Sequence, residues 1–215
     1  MSESGTLFII SAPSGSGKTS IVQHLLGTVA GLEFSVSYTT RAPRAGEVHG
    51  RDYFFVDEPT FRRMIAADEF YEWAVVYNDL KGTSRAFIDE RLASGADVLL
   101  DIDVQGAMQI KAINPKAVLV FILPPSFPVL AERLRRRGLD DESEVQRRLA
   151  KARDEIRRYE EYHYVVVNED LAASVETVRA IIRAERQRTA ANRTRIGAIR
   201  SEEHTSEIQS RITIS

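Results

Sequence analysis

The feature that most constrains the fold is a strand, a glycine-rich turn and a helix that follow one another near the start of the chain. Residues Leu7 to Ile10 form a continuous apolar run, which is typical of a strand buried on both faces. The turn contains Gly15 and Gly17, and a helical pattern runs from Lys18 to about Leu26. A strand followed by a helix in this way is typical of parallel α/β sheets, so the sequence predicts an α/β fold.

The same alternation continues along the chain. Val98 to Leu100 and Ala117 to Leu123 are short apolar runs that predict buried strands, and Val104 to Ile113 between them has a helical pattern. Tyr164 to Val167 predicts a fourth strand, and a long helix is expected from about Leu171. The pattern predicts a parallel sheet covered by helices on both faces, which is a three-layer fold.

Two segments interrupt this alternation. Residues 34–90 combine aromatic and β-branched runs with Pro and Gly turns, which indicates a small, mixed and partly antiparallel insertion. Residues 127–162 are charged and helix-forming, which favours two helices joined by a turn that would serve as a lid. The expected core then consists of residues 1–33, 91–126 and 163–200. Residues 201–215 lack apolar periodicity, and we expect a disordered or non-native tail there.

Composition excludes several classes of protein. The 215 residues carry 29 Lys and Arg against 31 Asp and Glu, which is not the basic excess of a dedicated nucleic-acid or anionic-membrane binder. The chain has no cysteine, so disulfides, thiol catalysis and cysteine-ligated zinc are excluded. Its longest apolar stretch is too short to span a membrane, and no secretory signal is recognisable. We expect a soluble cytoplasmic protein, and the sequence leaves its oligomeric state open.

The glycine-rich turn has the composition of a phosphate-binding loop. It matches the pattern G-x-x-x-x-G-K-[ST], except that alanine replaces the first glycine. Backbone N–H groups in such a loop, together with the positive end of the following helix, bind phosphate oxygens. A lysine then adds a full charge at the outer phosphates, and a threonine hydroxyl can bind Mg²⁺. The motif predicts that Ala12, Pro13, Ser14, Gly15, Ser16, Gly17, Lys18 and Thr19 bind a nucleoside triphosphate, which the family resemblance given below identifies as ATP.

Two carboxylates follow the predicted strand at Val98 to Leu100. Asp101 and Asp103 lie at its carboxyl end, the edge where open α/β sheets bind ligands. We expect Asp101 to hold Mg²⁺ through water and Asp103 to reach the substrate side of the crevice. The alternative for either residue is a helix cap before Val104.

With these motifs in order, the chain resembles the guanylate kinase family. The matching segments are Ser11 to Thr19, Ser35 to Arg44, Gly46 to Tyr53, Asp101 to Gly106 and Arg133 to Gly138, within roughly residues 5–190. The resemblance implies an enzyme that converts ATP and GMP to ADP and GDP with Mg²⁺, and dGMP is a further expected substrate. It also implies a P-loop fold with a parallel-sheet core, a GMP-binding insertion and a helical lid.

The resemblance places the GMP phosphate among donors in the insertion. Two anionic substrates must approach each other, which demands cations. Arg41 and Arg44 lie three residues apart around Pro43 and can both donate to the monophosphate, and Tyr53 adds a phenol. Lys81 occupies a position where family members usually carry a tyrosine. It retains a hydrogen-bond donor there, on a longer and less rigid side chain.

Base selection is assigned by the same resemblance to Glu72, Ser37 and Thr83. A carboxylate at Glu72 accepts from both N–H donors of the guanine pairing edge, and the two hydroxyls donate to its carbonyl oxygen. Adenine presents an acceptor in place of the ring N–H and would leave the carboxylate unpaired. Asp103 is expected to complete the GMP-binding set.

The predicted lid supplies further cations. Arg133 and Arg137 are four residues apart and therefore share one helical face, and Arg148 lies on the following helix. The resemblance places all three at the phosphates of the closed complex, so they join Lys18 and Arg41 as the expected catalytic residues. Asn168, directly after the strand at Tyr164 to Val167, is expected to bind the adenine of ATP.

Three alternatives remain at this point. A kinase for another phosphorylated acceptor could use the same scaffold, although Ser37, Glu72 and Thr83 argue against it. A similar module that binds phosphopeptides without chemistry would typically have lost part of the phosphate-binding loop, which is retained here. Residues 183–200, with six arginines and one acidic residue, could bind RNA, although an exposed helix face explains them better. The four histidines share no ligand spacing, so no zinc site is predicted.

Overall fold

The chain folds around two β-sheets. The computed structural model describes residues 4–76, 78–136, 142–189 and 191–201. In chain order the strands are β1 (Leu7–Ser11), β2 (Leu32–Phe34), β3 (Tyr38–Thr39), β4 (Phe54–Phe55), β5 (Phe70–Val76), β6 (Asp79–Ser84), β7 (Asp97–Asp101), β8 (Val118–Leu123) and β9 (Tyr164–Val167). The helices are α1 (Lys18–Thr28), α2 (Glu58–Ala66), α3 (Arg85–Ala93), α4 (Val104–Ile113), α5 (Phe127–Arg136), α6 (Glu142–Ile156) and α7 (Leu171–Glu185).

The larger sheet has five parallel strands in the order β2-β7-β1-β8-β9. Its central strand β1 is buried along its whole length, as its unbroken apolar sequence predicts. All four predicted core strands are present in it, which confirms the parallel α/β fold. The sheet also contains β2, although the sequence predicts that the insertion begins at Phe34. Phe34 instead ends β2 in the larger sheet, and Tyr38 begins β3 in the smaller one.

Helices cover both faces of this sheet, and the alternation of side chains along β1 separates two cores. Phe8 and Ile10 pack with α1 and α7 on one face. Leu7 and Ile9 pack on the other face, where Ile88 of α3 and Ile110 of α4 complete the apolar cluster. Adjacent residues of a strand point to opposite faces, so one short segment contributes to both layers. The three-layer arrangement is confirmed.

The smaller sheet has the strand order β4-β3-β6-β5. Its β3–β4 pair is parallel, and its β3–β6 and β5–β6 pairs are antiparallel, which confirms a mixed insertion. Helix α2 begins after Asp57, whose side chain accepts from the Thr60 N–H at 2.9 Å. Phe61 of this helix packs with Phe70 and Leu80 of the sheet in a separate small core. The division of the chain into the expected domains stays a prediction.

Helices α5 and α6 pack against each other through apolar residues spaced three or four apart. The cluster consists of Leu130, Leu134, Val145, Leu149 and Ala152. This spacing gives each helix one apolar face, and the charged residues lie on the other sides. The two predicted helices are present, and the turn expected between them lies outside the described residues, as do most of the residues of the expected tail. Within the described ranges, no helix is long and apolar enough to cross a bilayer.

Candidate nucleotide-binding site

The turn between β1 and α1 has a backbone that requires glycine at two positions. Gly15 and Gly17 have φ values of +94° and +90°, in the left-handed region that L side chains rarely adopt. A β-carbon on Gly17 would lie 2.3 Å from the Asn168 Nδ2 atom, and one on Gly15 would lie 2.9 Å from the Leu130 Cδ1 atom. Helix α1 has no side-chain cap and no acidic residue in its first turn. Its positive end is therefore available to an anion, as the motif predicts.

The turn opens into a cavity of about 360 Å³ at the carboxyl ends of the core strands. Seven of the eight predicted ATP-binding residues of the turn line it, all except Gly17, and so do predicted residues of the insertion and of β7. The other predicted residues that line it are Ser37, Tyr53, Glu72, Lys81, Asp101 and Asp103. The structure thus brings together predicted residues that are up to 91 positions apart in the chain, from Ala12 to Asp103.

Lys18 is held at the base of this cavity by two acceptors at the carboxyl end of β7. Its ammonium donates to the Ile102 carbonyl oxygen at 2.7 Å and lies 2.6 Å from the Asp101 Oδ1 atom. Both charged side chains are about one-fifth exposed, so the pair is partly shielded from water. The charge of Lys18 is thereby fixed close to the turn, where a phosphate group would lie.

The insertion places a second group of cations around one phenol. The Lys81 ammonium lies 3.3 Å from the Tyr53 hydroxyl and 4.9 Å from the centre of its ring. The Arg41 guanidinium lies 5.5 Å from the same ring centre. Arg41 is also bound by both carboxylate oxygens of Glu47, at 2.8 and 2.9 Å, and this hydrogen-bonded pairing raises the pKa of Arg41. Arg44 is exposed, and its backbone N–H donates to Glu47.

The predicted base-recognition carboxylate is buried. Glu72 on β5 is 6% exposed and faces Thr83 across the β5–β6 pair. The Thr83 hydroxyl donates to the Glu72 Oε1 atom at 2.5 Å. Burial raises the pKa of Glu72 to about 7, which outweighs the opposing effects of the Thr83 hydrogen bond and Lys81. The Glu72 side chain is thus partly protonated at neutral pH. Ser37, the second residue predicted to recognise the base, lines the same cavity.

Asp103 caps a helix, which is the alternative role that the sequence left open for it. It is the N-cap of α4, and its carboxylate accepts from the Gly106 N–H at 2.9 Å. It also lines the cavity, and its charge helps to raise the pKa of Glu72. A cap and a substrate contact are compatible, since a carboxylate accepts several hydrogen bonds.

The two predicted lid arginines within the described residues have different partners. Arg133 lines a cleft beside Gly15 and Gly17, and its Nη2 atom donates to the Asn168 carbonyl oxygen at 3.2 Å. Arg148 donates from Nε to the Glu144 carboxylate at 3.1 Å on the same helix. Arg137 lies outside the described residues. A common role of these arginines at the phosphates stays a prediction.

Asn168 binds the phosphate loop itself. Its side chain is buried, its Nδ2 atom donates to the Ser16 carbonyl oxygen at 2.7 Å, and its Oδ1 atom accepts from the Ser174 hydroxyl at 3.1 Å. Both polar atoms of the amide thus have partners within the protein. This structural role was not predicted from the sequence, and a contact with adenine stays a prediction.

Two cavity residues were missed by sequence reasoning. Lys151 and Glu155 of α6 line the cavity, with 3.6 Å between the Lys151 ammonium and the Glu155 carboxylate. Burial raises the pKa of Glu155, and the nearby charge of Asp103 acts in the same direction. A signal was available, because positions 148, 151 and 155 lie on one face of a helix.

Comparison with known proteins places this site in a family. A family model described as guanylate kinase matches residues 4–185, which include every described residue of the candidate site. The chain belongs to the guanylate kinase family. Its relatives include the guanylate kinase of Koribacter versatilis, 54% identical over 188 residues, which are 86% of this chain and 81% of that protein. The guanylate kinase of Dechloromonas aromatica is 48% identical over 91% of this chain and 96% of its own length.

A solved guanylate kinase has the same fold. The crystal structure of the guanylate kinase from Anaplasma phagocytophilum superposes with a TM-score of 0.73 at 35% identity and covers 89% of this chain and 91% of that one. The match spans nearly the whole of each chain. The guanylate kinase P-loop fold is therefore confirmed for this chain.

Proposed function

We propose that the chain is an ATP:GMP phosphotransferase that makes ADP and GDP, with dGMP as a second acceptor. The observation that carries the proposal is one cavity lined both by the phosphate loop with Lys18 and by the buried carboxylate of Glu72. A phosphate-binding end and a base-selecting end in one cavity fit two nucleotides that meet at their phosphates. The family membership supports the same reaction.

The triphosphate end is formed by the turn and by β7. Backbone N–H groups of the turn and the start of α1 would bind the phosphates of ATP, and Lys18 would neutralise charge on the outer ones. Thr19 and Asp101 both line this end and offer a hydroxyl and a carboxylate oxygen, the ligand chemistry that Mg²⁺ prefers. These two side chains therefore fit the ion, Asp101 through water. When bound, Mg²⁺ would neutralise phosphate charge.

The monophosphate end is formed by the donors around Tyr53. Arg41, Lys81 and the Tyr53 hydroxyl would donate to the GMP phosphate, and Arg44 would move onto it from its exposed position. Glu47 holds the Arg41 guanidinium through two hydrogen bonds, so that side chain is oriented before the substrate arrives. Less conformational entropy is then lost when the phosphate binds.

Guanine would be selected at the closed end of the cavity. The Glu72 carboxylate would accept from the two N–H donors of the guanine edge, and Ser37 would donate to its carbonyl oxygen. Thr83 would add a second donor by turning its hydroxyl proton from Glu72 to the base. Asp103 lies at the same end and would complete the set. Adenine presents an acceptor where guanine has its ring N–H and would leave the buried carboxylate without that donor, at a cost of roughly 2–4 kcal/mol.

The chemical step needs positioned charges and no general base. An anionic oxygen of the GMP phosphate attacks the γ-phosphorus of ATP, the bond from that phosphorus to the β–γ bridging oxygen breaks, and ADP leaves with the electron pair. Cations stabilise the charge that spreads over the transferred group, and a closed lid keeps water from competing with GMP. Arg133, Arg148 and Arg137 are the proposed lid cations.

The test is a coupled assay for ADP formation with GMP, dGMP, AMP and UMP offered one at a time. We expect turnover with GMP and dGMP and little with the other two. Lys18→Ala should lower kcat by about 100-fold or more, because a charge aimed at the transferred phosphoryl group is lost. Lys116→Ala, at an exposed lysine away from the cavity, is the matched control. Equal rates with AMP, or full activity of Lys18→Ala, would contradict the proposal.

A further inference from the structure

Helix α4 contains a glycine in its first turn, although glycine does not stabilise a helix. Gly106 lies in the first turn after the Asp103 cap, and glycine is the poorest helix former after proline. Its φ is not in the left-handed region, so the backbone itself would accept an L residue. The reason for glycine at this position must therefore lie in what surrounds it.

Glu72 occupies the space that a side chain at position 106 would need. A β-carbon built on Gly106 would lie 2.7 Å from the Glu72 Oε2 atom, 3.1 Å from Cδ and 3.4 Å from Cγ. The first distance is shorter than real β-carbon contacts, and the second is tight for a carboxyl carbon. The carboxylate of Glu72 is thus packed directly against the backbone of α4.

The two backbones that meet here are anchored to each other. The side chain of Gln109, three residues further along α4, accepts from the Trp73 N–H at 3.2 Å and donates to the Trp73 carbonyl oxygen at 3.1 Å. Trp73 follows Glu72 in β5, so this amide fixes the strand at the neighbouring residue. The Asp103 cap fixes the start of the helix through the N–H of Gly106 itself.

A β-carbon at position 106 would therefore displace the Glu72 side chain and leave both backbones in place. The carboxylate is the part that can rotate, because it is the end of a three-carbon side chain. Its movement would also lengthen the hydrogen bond from Thr83. Folding would be little affected, while the acceptor atoms for guanine would be misplaced.

We propose that Gly106 is a positioning residue that sets how deeply the Glu72 carboxylate lies in the cavity, and thereby sets the affinity for guanine nucleotides. The proposal rests on the proposed function of Glu72 as the guanine acceptor. A substitution at position 106 should therefore weaken the binding of GMP. It should leave the binding of ATP unchanged, because the phosphate loop lies at the other end of the cavity.

The experiment compares Gly106→Ala with the matched control Gly27→Ala. Gly27 lies in α1, and a β-carbon there meets nothing within 4 Å. Calorimetry with GMP should show a dissociation constant raised about tenfold or more in Gly106→Ala, as expected for a displacement of about 1 Å at a binding group. KM for ATP and the thermal unfolding midpoint should stay close to those of the control. An unchanged GMP dissociation constant would overturn the proposal.

A second pair of variants separates positioning from a general structural effect. Glu72→Ala removes the Cγ, Cδ and Oε2 atoms that a β-carbon at position 106 would meet. Adding Gly106→Ala to Glu72→Ala should then leave the GMP dissociation constant unchanged, although Glu72→Ala alone weakens binding. Equal penalties in both backgrounds would show that Gly106 does not act through Glu72, and would overturn the proposal.

The two proposals can fail separately. Wild-type protein that binds GMP without phosphorylating it would contradict the proposed function, and the comparison of dissociation constants would still test Gly106. Wild-type protein that phosphorylates GMP, together with a Gly106→Ala variant that binds GMP equally well, would overturn only the role of Gly106. Wild-type protein that does not bind GMP would overturn both.

Discussion

The Thr83 hydroxyl and the Glu72 carboxylate form a 2.5 Å hydrogen bond across adjacent antiparallel strands, with both side chains buried. The pairing of β5 and β6 places the two residues opposite each other, so the contact follows directly from the register. One hydrogen bond offsets only part of the cost of burying a charge, and the pKa of Glu72 is accordingly raised to about 7. A neutral and a charged form are therefore both accessible near physiological pH.

GMP binding should strengthen as pH rises from 6 to 8. Only the ionised form of Glu72 can accept from both guanine donors, and a pKa of about 7 means that this form becomes dominant over that interval. The ionised fraction, and with it the association constant, should rise by about tenfold. Calorimetric titration of GMP at several pH values measures this change.

The control for that titration is Glu72→Gln. The GMP phosphate also gains charge near pH 6, and this contribution is common to both proteins. The variant should bind GMP weakly and keep only the small pH dependence of the phosphate. A variant with the same pH dependence as wild type would show that Glu72 is not the titrating group.

Burial of the same carboxylate should make the protein less stable at high pH. The folded-state pKa of about 7 lies above the ordinary value of 4.5, so the contribution of Glu72 to stability is fully present below about pH 4.5 and is lost as pH rises through 7. The difference between the folded and unfolded pKa corresponds to a loss of about 3 kcal/mol. Urea denaturation should therefore find Glu72→Gln more stable relative to wild type at pH 8 than at pH 5. Equal differences at both pH values would contradict the pKa shift.

The core and the phosphate loop could be predicted because the residue types in each segment follow from the local conformation and burial of that same segment. Strands buried on both faces form unbroken apolar runs, and α4 begins and ends at the predicted residues Val104 and Ile113. Strand β6 was missed because Lys81 and Gly82 interrupt any β pattern. Gly82 is needed there since a β-carbon would lie 3.0 Å from both Phe61 and Phe70, which are distant in sequence.

The rest of the site depends on contacts between distant segments. The amide of Asn168 meets the Ser16 carbonyl oxygen only because β9 and the turn after β1 end at the same edge of the sheet. Glu155 reaches the cavity only through the packing of α6. Spacing along the chain can put Glu155 on one helix face with Lys151, but residue type and spacing do not show which distant segment that face meets.

Removal of the Asn168 amide should loosen the phosphate loop. Asn168→Ala leaves the buried Ser16 carbonyl oxygen without its 2.7 Å donor, which should cost about 1–3 kcal/mol of stability and raise KM for ATP. Ser174→Ala is the matched control, because it removes only the hydrogen bond to the other end of the same amide. The control should lose some stability and keep its KM for ATP. Denaturation curves and initial rates distinguish the two, and an unchanged KM for ATP in Asn168→Ala would contradict the role in the loop.

Lys81 should make GMP binding depend on ionic strength. Its ammonium lies 3.3 Å from the Tyr53 hydroxyl, among the donors proposed for the GMP phosphate, where a cation attracts a dianion by about 1 kcal/mol or more. Lys81→Met should therefore raise KM for GMP about fivefold at low salt, with KM for ATP unchanged, and the difference from wild type should shrink as salt screens the charge. Lys81→Tyr should recover much of the affinity for GMP, because the phenol is a neutral donor. Its salt dependence should be as weak as that of Lys81→Met, because neither variant has a charge at this position. Lys116→Met is the control for the loss of a lysine elsewhere, and identical salt dependence in all four proteins would show that Lys81 does not contact the phosphate.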